Sequence, residues 1–248
     1  MLQQIALRPA RNRKVLVRRH SAITRVTHWI NAVCLALLLM SGLQIFNAHP
    51  ALYWGEISTL EKPLAIIGDV PGWATIPSYH DLGSGRLWHF FFAWVFVING
   101  AAYLLVSLLS RHLGRDLIPT RAELAHIGRA VLEHVRLRFP KGEEARRYNV
   151  LQQLTYLAVI FGLLPLVVAT GLCMSPQMNA AAPWLPELFG GRQSARTLHF
   201  LAAAGLAAFV IVHVAMVVLS GFWNNMRSMI TGRYAIELGG ENAHPSQS

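Results

Sequence analysis

Along the 248 residues, hydrophobic positions gather into four long runs, Val26 to Phe46, Leu87 to Leu109, Leu151 to Met174 and Leu198 to Leu219. Each reaches the roughly 20 residues that an α-helix needs to cross a hydrocarbon layer. They are apolar all round rather than on one face, which marks helices immersed in lipid or buried among other helices. A fifth pattern differs. In "RDLIPTRAELAHIGRAVLEHVRLRF", Leu124, Ile127, Val131 and Val135 recur at helical spacing with arginines opposite, which predicts a helix lying on a membrane surface. His126 and His134 fall on its wet side, where a ligand role is not expected.

The pattern predicts an all-α membrane protein, a four-transmembrane-helix bundle forming one domain over 1–248. Composition agrees: 54% hydrophobic residues, 14% charged and a mean hydropathy of +0.39 do not describe a soluble domain. Pro165 and the glycines at 42, 100, 162 and 205 interrupt the runs, and membrane helices tolerate them where neighbours pack closely. The first run is longer than a signal-peptide core and lacks a small-residue cleavage site, so it reads as retained. No internal repeat stands out.

Charge sets the orientation. Residues 1–25 hold seven Lys and Arg without an acid, and the loop at 110–150 holds nine. The loops at 47–86 and 175–197 hold four together. The positive-inside rule places both termini and the 110–150 loop in the cytoplasm of a bacterial inner-membrane protein. The net charge of +10 then reflects topology, and the basic arm "RNRKVLVRR" is not read as a nucleic-acid contact. The outer loop at 47–86 ("HPALYWGEIS", "DVPGWATIPSYHD") is long, proline-bearing and aromatic, a pattern that suits either an interface belt or a docking surface. Cys34 and Cys173 lie at different depths, so no disulfide is expected between them.

Histidines inside the apolar runs are the candidate chemistry, because ionisable groups at membrane depth are costly. His199 and His213 are fourteen residues apart on the fourth run. That is about 1400° of helix rotation, within about 40° of four full turns, and a rise of about 21 Å. They share a face at two depths. The first helix enters from the cytoplasm with His28 at the inner depth, and the second enters from outside with His89 at the outer one. The sequence therefore pairs His28 with His213 and His89 with His199. Facing imidazoles across a bundle suit axial ligation of two b haems, whereas structural zinc wants four ligands.

Two further residue sets fit that reading. Gly42 lies fourteen residues after His28 and Gly100 eleven after His89, leaving each helix bare at the depth where the other pair sits. Arg25, Arg86 and Arg196 each precede a histidine by three residues, one turn nearer the surface, where guanidinium can meet a haem propionate. No C-x-x-C-H run is present for covalent haem attachment.

With these histidines on its first, second and fourth spans, the chain resembles the bacterial cytochrome b561 and nickel-iron hydrogenase b-type cytochrome family. That family includes the membrane subunits of formate dehydrogenase and thiosulfate reductase. The thiosulfate-reductase-type cytochrome b is the nearest likeness, through "HPALYWGEIS", "RRYNVLQQLTYL" and "NNMRSMITGRY". The resemblance implies an extracytoplasmic (periplasmic) oxidoreductase partner of molybdopterin or iron-sulfur type, and menaquinone or ubiquinone as the other electron carrier. Inner-side polar residues offer a quinone headgroup hydrogen bonds without a buried charge: Asn31, Gln152, Gln153 and Asn224, with Asn149, Asn225 and Arg227 nearby. The resemblance also implies a quinone site on that side.

The expected function is electron transfer across the membrane by a subunit rather than a complete enzyme, since two filled axial positions leave neither iron open to substrate. Two alternatives remain at this stage. One is a self-sufficient di-haem quinone oxidoreductase fed by a small reductant such as superoxide, which would reduce a quinone analogue unaided. The other is a haem-free transporter, which would show no Soret band.

Overall fold

The computed structural model describes residues 13–59, 62–110, 119–120, 124, 127–128, 132 and 150–238. Four helices in this set are long and apolar enough to span a membrane: α1 (Ala22–Asn47), α2 (Leu82–Leu109), α3 (Val150–Cys173) and α6 (Arg192–Leu219). α1, α2 and α6 contain the apolar runs that predicted them and extend by several residues into polar flanks, whereas α3 stops one residue short of its run, at Cys173. The α1 start is fixed by Ser21, whose hydroxyl accepts from the Thr24 N–H at 3.1 Å. Asp81 caps α2, accepting from the Gly83 and Ser84 N–H groups at 3.0 and 3.3 Å and from the Ser84 hydroxyl at 2.6 Å. Those bonds, the Ser84 hydroxyl first, hold the Asp81 carboxyl below its ordinary pKa.

The third span is not one regular helix. Val159–Leu163 forms a π turn between α-helical segments Val150–Ala158 and Leu164–Cys173. Pro165 explains the interruption, because it has no N–H to give to the preceding turn and its ring crowds that turn's carbonyl.

The bundle is inside-out by soluble standards. Apart from Leu206 on α6, its most buried side chains are mostly small or polar: Thr27, Cys34, Ser41 and Gln44 on α1, Asn99 and Ser107 on α2, Thr170 and Cys173 on α3, Ser194, Thr197 and Ala202 on α6. Large apolar groups face outward, as Leu87, Phe91, Trp94, Ile98, Leu105 and Leu109 do along one side of α2. With lipid as solvent, apolar residues gain little from burial, and small residues let helices approach. Cys34 and Cys173 are both buried free thiols.

The helices pack as two antiparallel hairpins, α1 along α2 and α3 along α6, while close backbone approach between the hairpins is sparse. At the end of the bundle where α1 leads to α2 and α3 to α6, strands β2 (Ala51–Leu52) and β3 (Ala65–Ile66) pair antiparallel and short helices α4 (Pro176–Ala181) and α5 (Trp184–Leu188) lead into α6. The outer loop is laced to the helix ends. Asn47 exchanges two 2.9 Å bonds with the Val70 backbone, Gln44 donates to the Tyr79 carbonyl at 2.8 Å, and Thr197 donates to the Tyr53 carbonyl at 2.6 Å. Gly191 has φ +106°, and a Cβ there would lie 2.6 Å from the Gly55 carbonyl, so only glycine admits this contact.

At the end of the bundle where α1 begins and α6 finishes, the structure adds an element that the hydrophobic pattern does not predict. Strand β1 (Arg13–Arg18) pairs antiparallel with β4 (Arg233–Leu238), joining the segment before α1 to the segment after α6. Helix α7 (Phe222–Thr231) lies between α6 and β4, and Asn224 pins them together: its amide donates to the Ala235 carbonyl and accepts from the Ala235 N–H, both at 2.9 Å. The basic arm is thus partly a strand. Of the expected surface helix, Leu124, Ile127 and Leu132 are exposed, while Val131, Val135, His126 and His134 lie outside the described residues, as do Asn149 and most of 110–150.

Candidate functional site

The fold brings the four span histidines together as two pairs. The His89 and His199 rings have centroids 6.2 Å apart with planes crossing at 66°. His28 and His213 show the same 6.2 Å with planes at 62°. In both cases one ring comes from the α1/α2 hairpin and the other from α6, so each pair bridges the sparse interface between the hairpins.

This spacing can be tested against a bound metal. An imidazole nitrogen lies about 2 Å from a transition metal, and the ring centre about 1.2 Å further, so two trans imidazoles across one ion have centroids about 6.4 Å apart. Both pairs fit. Among the described residues no group of three or more His, Cys, Asp or Glu gathers, which leaves two protein ligands per site. Two strong axial nitrogens with other equatorial donors is the haem arrangement, so the donor set suits haem better than structural zinc.

The outer pair is oriented by neighbours. His199 Nδ1 lies 2.9 Å from the Val167 carbonyl and 3.3 Å from Thr170 Oγ1. His89 Nδ1 lies 3.1 Å from Ser41 Oγ. Glycines lie beside both rings: a Cβ on Gly42 would sit 3.3 Å from His89 Cε1, and one on Gly171 would sit 3.2 Å from His199 Cε1. Gly42, which sequence spacing leaves bare for a haem, therefore seats the His89 imidazole itself. A Cβ on Gly100 would meet nothing within 4 Å.

The arginines take different places. Arg196 donates to the Ala51 carbonyl at 2.9 Å and to the His49 carbonyl, and lies over the Phe46 ring at 5.4 Å. Beside it, the buried Nε2 of His49 has no hydrogen-bond partner, and the ring stacks on Tyr53. The guanidinium of Arg196, one turn before His199, and the unpartnered Nε2 of the histidine whose backbone carbonyl it holds suit an anionic group such as a propionate. Arg25 donates to the Ile230 carbonyl of α7 and to the Ser21 carbonyl at 3.4 Å, helping Trp29 Nε1, which donates to the Met229 carbonyl at 3.2 Å, hold α7 against α1. Arg86 is exposed, with its guanidinium 5.6 Å from the Phe90 ring centre.

The polar residues of the inner edge are dispersed. Asn31 accepts from Asn99 Nδ2 at 2.7 Å, and the same Asn99 nitrogen reaches the Thr27 carbonyl at 2.9 Å. Gln153 is buried in the first turn of α3, with Gln152 beside it. Asn224 is committed to Ala235, as above. Sequence reasoning missed Asn99, Ser41, Thr170, Gly171 and His49. An amide inside the apolar run at 99 is a readable signal, and so is the hydroxyl-glycine-leucine step that recurs at Ser41-Gly42-Leu43 and Thr170-Gly171-Leu172.

The sequence pattern of prokaryotic cytochrome b561 matches residues 19–232, from the end of β1 through α7. The chain belongs to the prokaryotic cytochrome b561 family. A putative protein-methionine-sulfoxide reductase subunit, YedZ1, of Azospira oryzae is 32% identical over 207 residues, spanning 81% of this chain and 90% of that protein. This cytochrome b561 is accordingly a multi-pass membrane protein of a family that binds b-type haem, and it is related to an oxidoreductase subunit.

Proposed function

We propose that this cytochrome b561 carries electrons across the bacterial inner membrane between a periplasmic oxidoreductase partner and the quinone pool, using two b haems. His89 and His199 hold the outer one, and His28 and His213 the inner. The observation that carries this reading is the recurrence of one geometry, a 6.2 Å pair bridging the two hairpins at each of two depths. A haem held by two imidazoles supplies a one-electron couple with no open coordination site.

The chain's own residues do the rest. The histidines on α6 are separated by about 21 Å along the helix, which sets the two sites toward opposite faces of the membrane. Arg196 would hold an outer propionate, with the unpartnered His49 Nε2 as a candidate hydrogen-bond partner, and Arg86 and Arg25 are the remaining candidates on the outer and inner sides. The space beside Gly100 admits the inner group. Buried Gln153, with Gln152 and Asn31, would offer amide groups to a quinone headgroup at the inner edge, while Asn99 spends both its N–H groups on Thr27 and Asn31 and so orients Asn31. The relative's printed role as a putative reductase subunit supports a partner protein, and the laced outer loop gives it a fixed surface to meet.

Single alanine replacements test the assignment. His89→Ala and His199→Ala are expected to lose the outer haem alone, and His28→Ala and His213→Ala the inner alone, read as stoichiometry and as the surviving component of a redox titration. Loss of the same haem from all four variants would overturn the pairing.

A further inference from the structure

We propose that Ser41 and Thr170 are positioning residues that fix the outer histidines in the Nδ1–H tautomer, turning both Nε2 lone pairs into the space between the hairpins. This rests on the bis-histidine reading above and adds what selects the coordinating nitrogen and sets its basicity.

Both hydroxyl protons are already committed. Ser41 Oγ donates to the Leu37 carbonyl at 2.6 Å, and Thr170 Oγ1 donates to the Leu166 carbonyl at 2.6 Å. Both bonds are short and run back one turn along the residue's own helix. Both residues are 0% exposed, so no water competes. A hydroxyl has one proton, and here it is already given, so toward the imidazole each oxygen can only accept. The nitrogens facing them, His89 Nδ1 at 3.1 Å and His199 Nδ1 at 3.3 Å, must therefore carry the hydrogen. The Val167 carbonyl, 2.9 Å from His199 Nδ1, has no proton and demands the same tautomer. A neutral imidazole with Nδ1 protonated has its lone pair on Nε2.

Gly42 and Gly171 complete each seat. Following directly on the hydroxyl residue, they let the ring edge lie against the helix, with Cε1 only 3.3 and 3.2 Å from where a Cβ would stand. The two seats are equivalent in chemistry but lie on different helices, α1 and α3, and each receives the histidine of its own hairpin partner, α2 or α6. Among the described residues, no serine or threonine hydroxyl bonds to the His28 or His213 ring. A ligating imidazole that donates its other N–H is a stronger base toward the metal, which favours the oxidised state. The outer haem is thereby distinguished from the inner by its second neighbours as well as by its depth.

The test uses the purified holoprotein in detergent, with haem stoichiometry measured before anything else. Ser41→Ala and Thr170→Val are expected to raise the midpoint potential of the outer haem and to change its low-spin g values, leaving the inner haem unchanged. Thr170→Ser, which retains the hydroxyl, is expected to restore the wild-type potential and spectrum. Should Thr170→Val lose the outer haem altogether, retention in Thr170→Ser still supports the proposal, and loss in both overturns it. Unchanged outer potential and g values in Ser41→Ala and Thr170→Val, with both haems bound, also overturn it while leaving the bis-histidine reading intact. Wild-type protein without two haems would instead sink that reading.

Discussion

Gly171→Ala puts one methyl group against the His199 imidazole. The added Cβ would lie 3.2 Å from His199 Cε1 and 3.5 Å from Nδ1, where ordinary carbon contacts begin near 3.5 Å. The ring must retreat by about 0.3 Å or more, yet the Val167 carbonyl 2.9 Å from Nδ1 opposes that movement. Overpacking of this kind costs about 1–3 kcal/mol. Alanine returns roughly 1 kcal/mol through its higher helix propensity. The net penalty on the seat is then about 0–2 kcal/mol, and at 1.4 kcal/mol per tenfold it weakens haem retention by up to roughly 30-fold. Gly42→Ala, at 3.3 Å from His89 Cε1, should behave alike and slightly more mildly. Gly100→Ala is the control for the outer site, because its Cβ meets no protein atom within 4 Å. The assay is haem per chain, with reduced-minus-oxidised spectra titrated to resolve the two components. The reasoning is refuted if Gly100→Ala depletes the outer haem while Gly42→Ala and Gly171→Ala leave it untouched.

Three other outcomes follow from the geometry. Asn224→Leu removes two backbone bonds to Ala235 and should loosen the β1–β4 pairing at a cost of about 1–3 kcal/mol, seen as faster amide exchange at Ala235 with both haems retained; unchanged exchange would contradict the pinning role. Gln153→Leu should slow quinol-analogue oxidation and abolish the inhibitor-induced shift of the inner haem spectrum at unchanged haem content, and a shift confined to the outer haem would move the quinone site to the other face. Because the folded Asp81 carboxyl is held below its ordinary value, its cap contributes above the unfolded pKa near 4 and is lost as pH falls through the lowered folded value. Thermal unfolding of wild type and Asp81→Ala should therefore differ at pH 7 and converge in acid, and a gap that persists at low pH would refute the linkage.

Much of the bundle was readable because a membrane demands long apolar runs, and periodicity along α6 already places His199 and His213 on one face. The depth argument that paired them with His89 and His28 needed only the direction of each span, which the distribution of arginines supplies. The seats of the rings were not readable, since Ser41 and Gly42 on α1 meet His89 only once α2 has folded back. Gly42 shows the limit well: spacing picked it out as a bare position on α1, but only packing reveals that the His89 imidazole lies against it. Asn224 was legible as a polar residue at the membrane edge, whereas its partner Ala235 offers no chemical signal at all. The strand at Arg13–Arg18 was hidden by its arginines, which read first as topological charge. Its pairing with Arg233–Leu238 is a contact between the two ends of the chain, and local pattern carries no information about it.

Whether four histidines on three helices hold two haems is decided by pyridine haemochrome analysis of the purified chain, normalised to protein by amino-acid analysis. Two non-covalent b haems per chain are expected, both low-spin and both six-coordinate before any ligand is added. One haem or none per chain, or a high-spin component that binds carbon monoxide in fresh protein, would contradict the two-haem assignment.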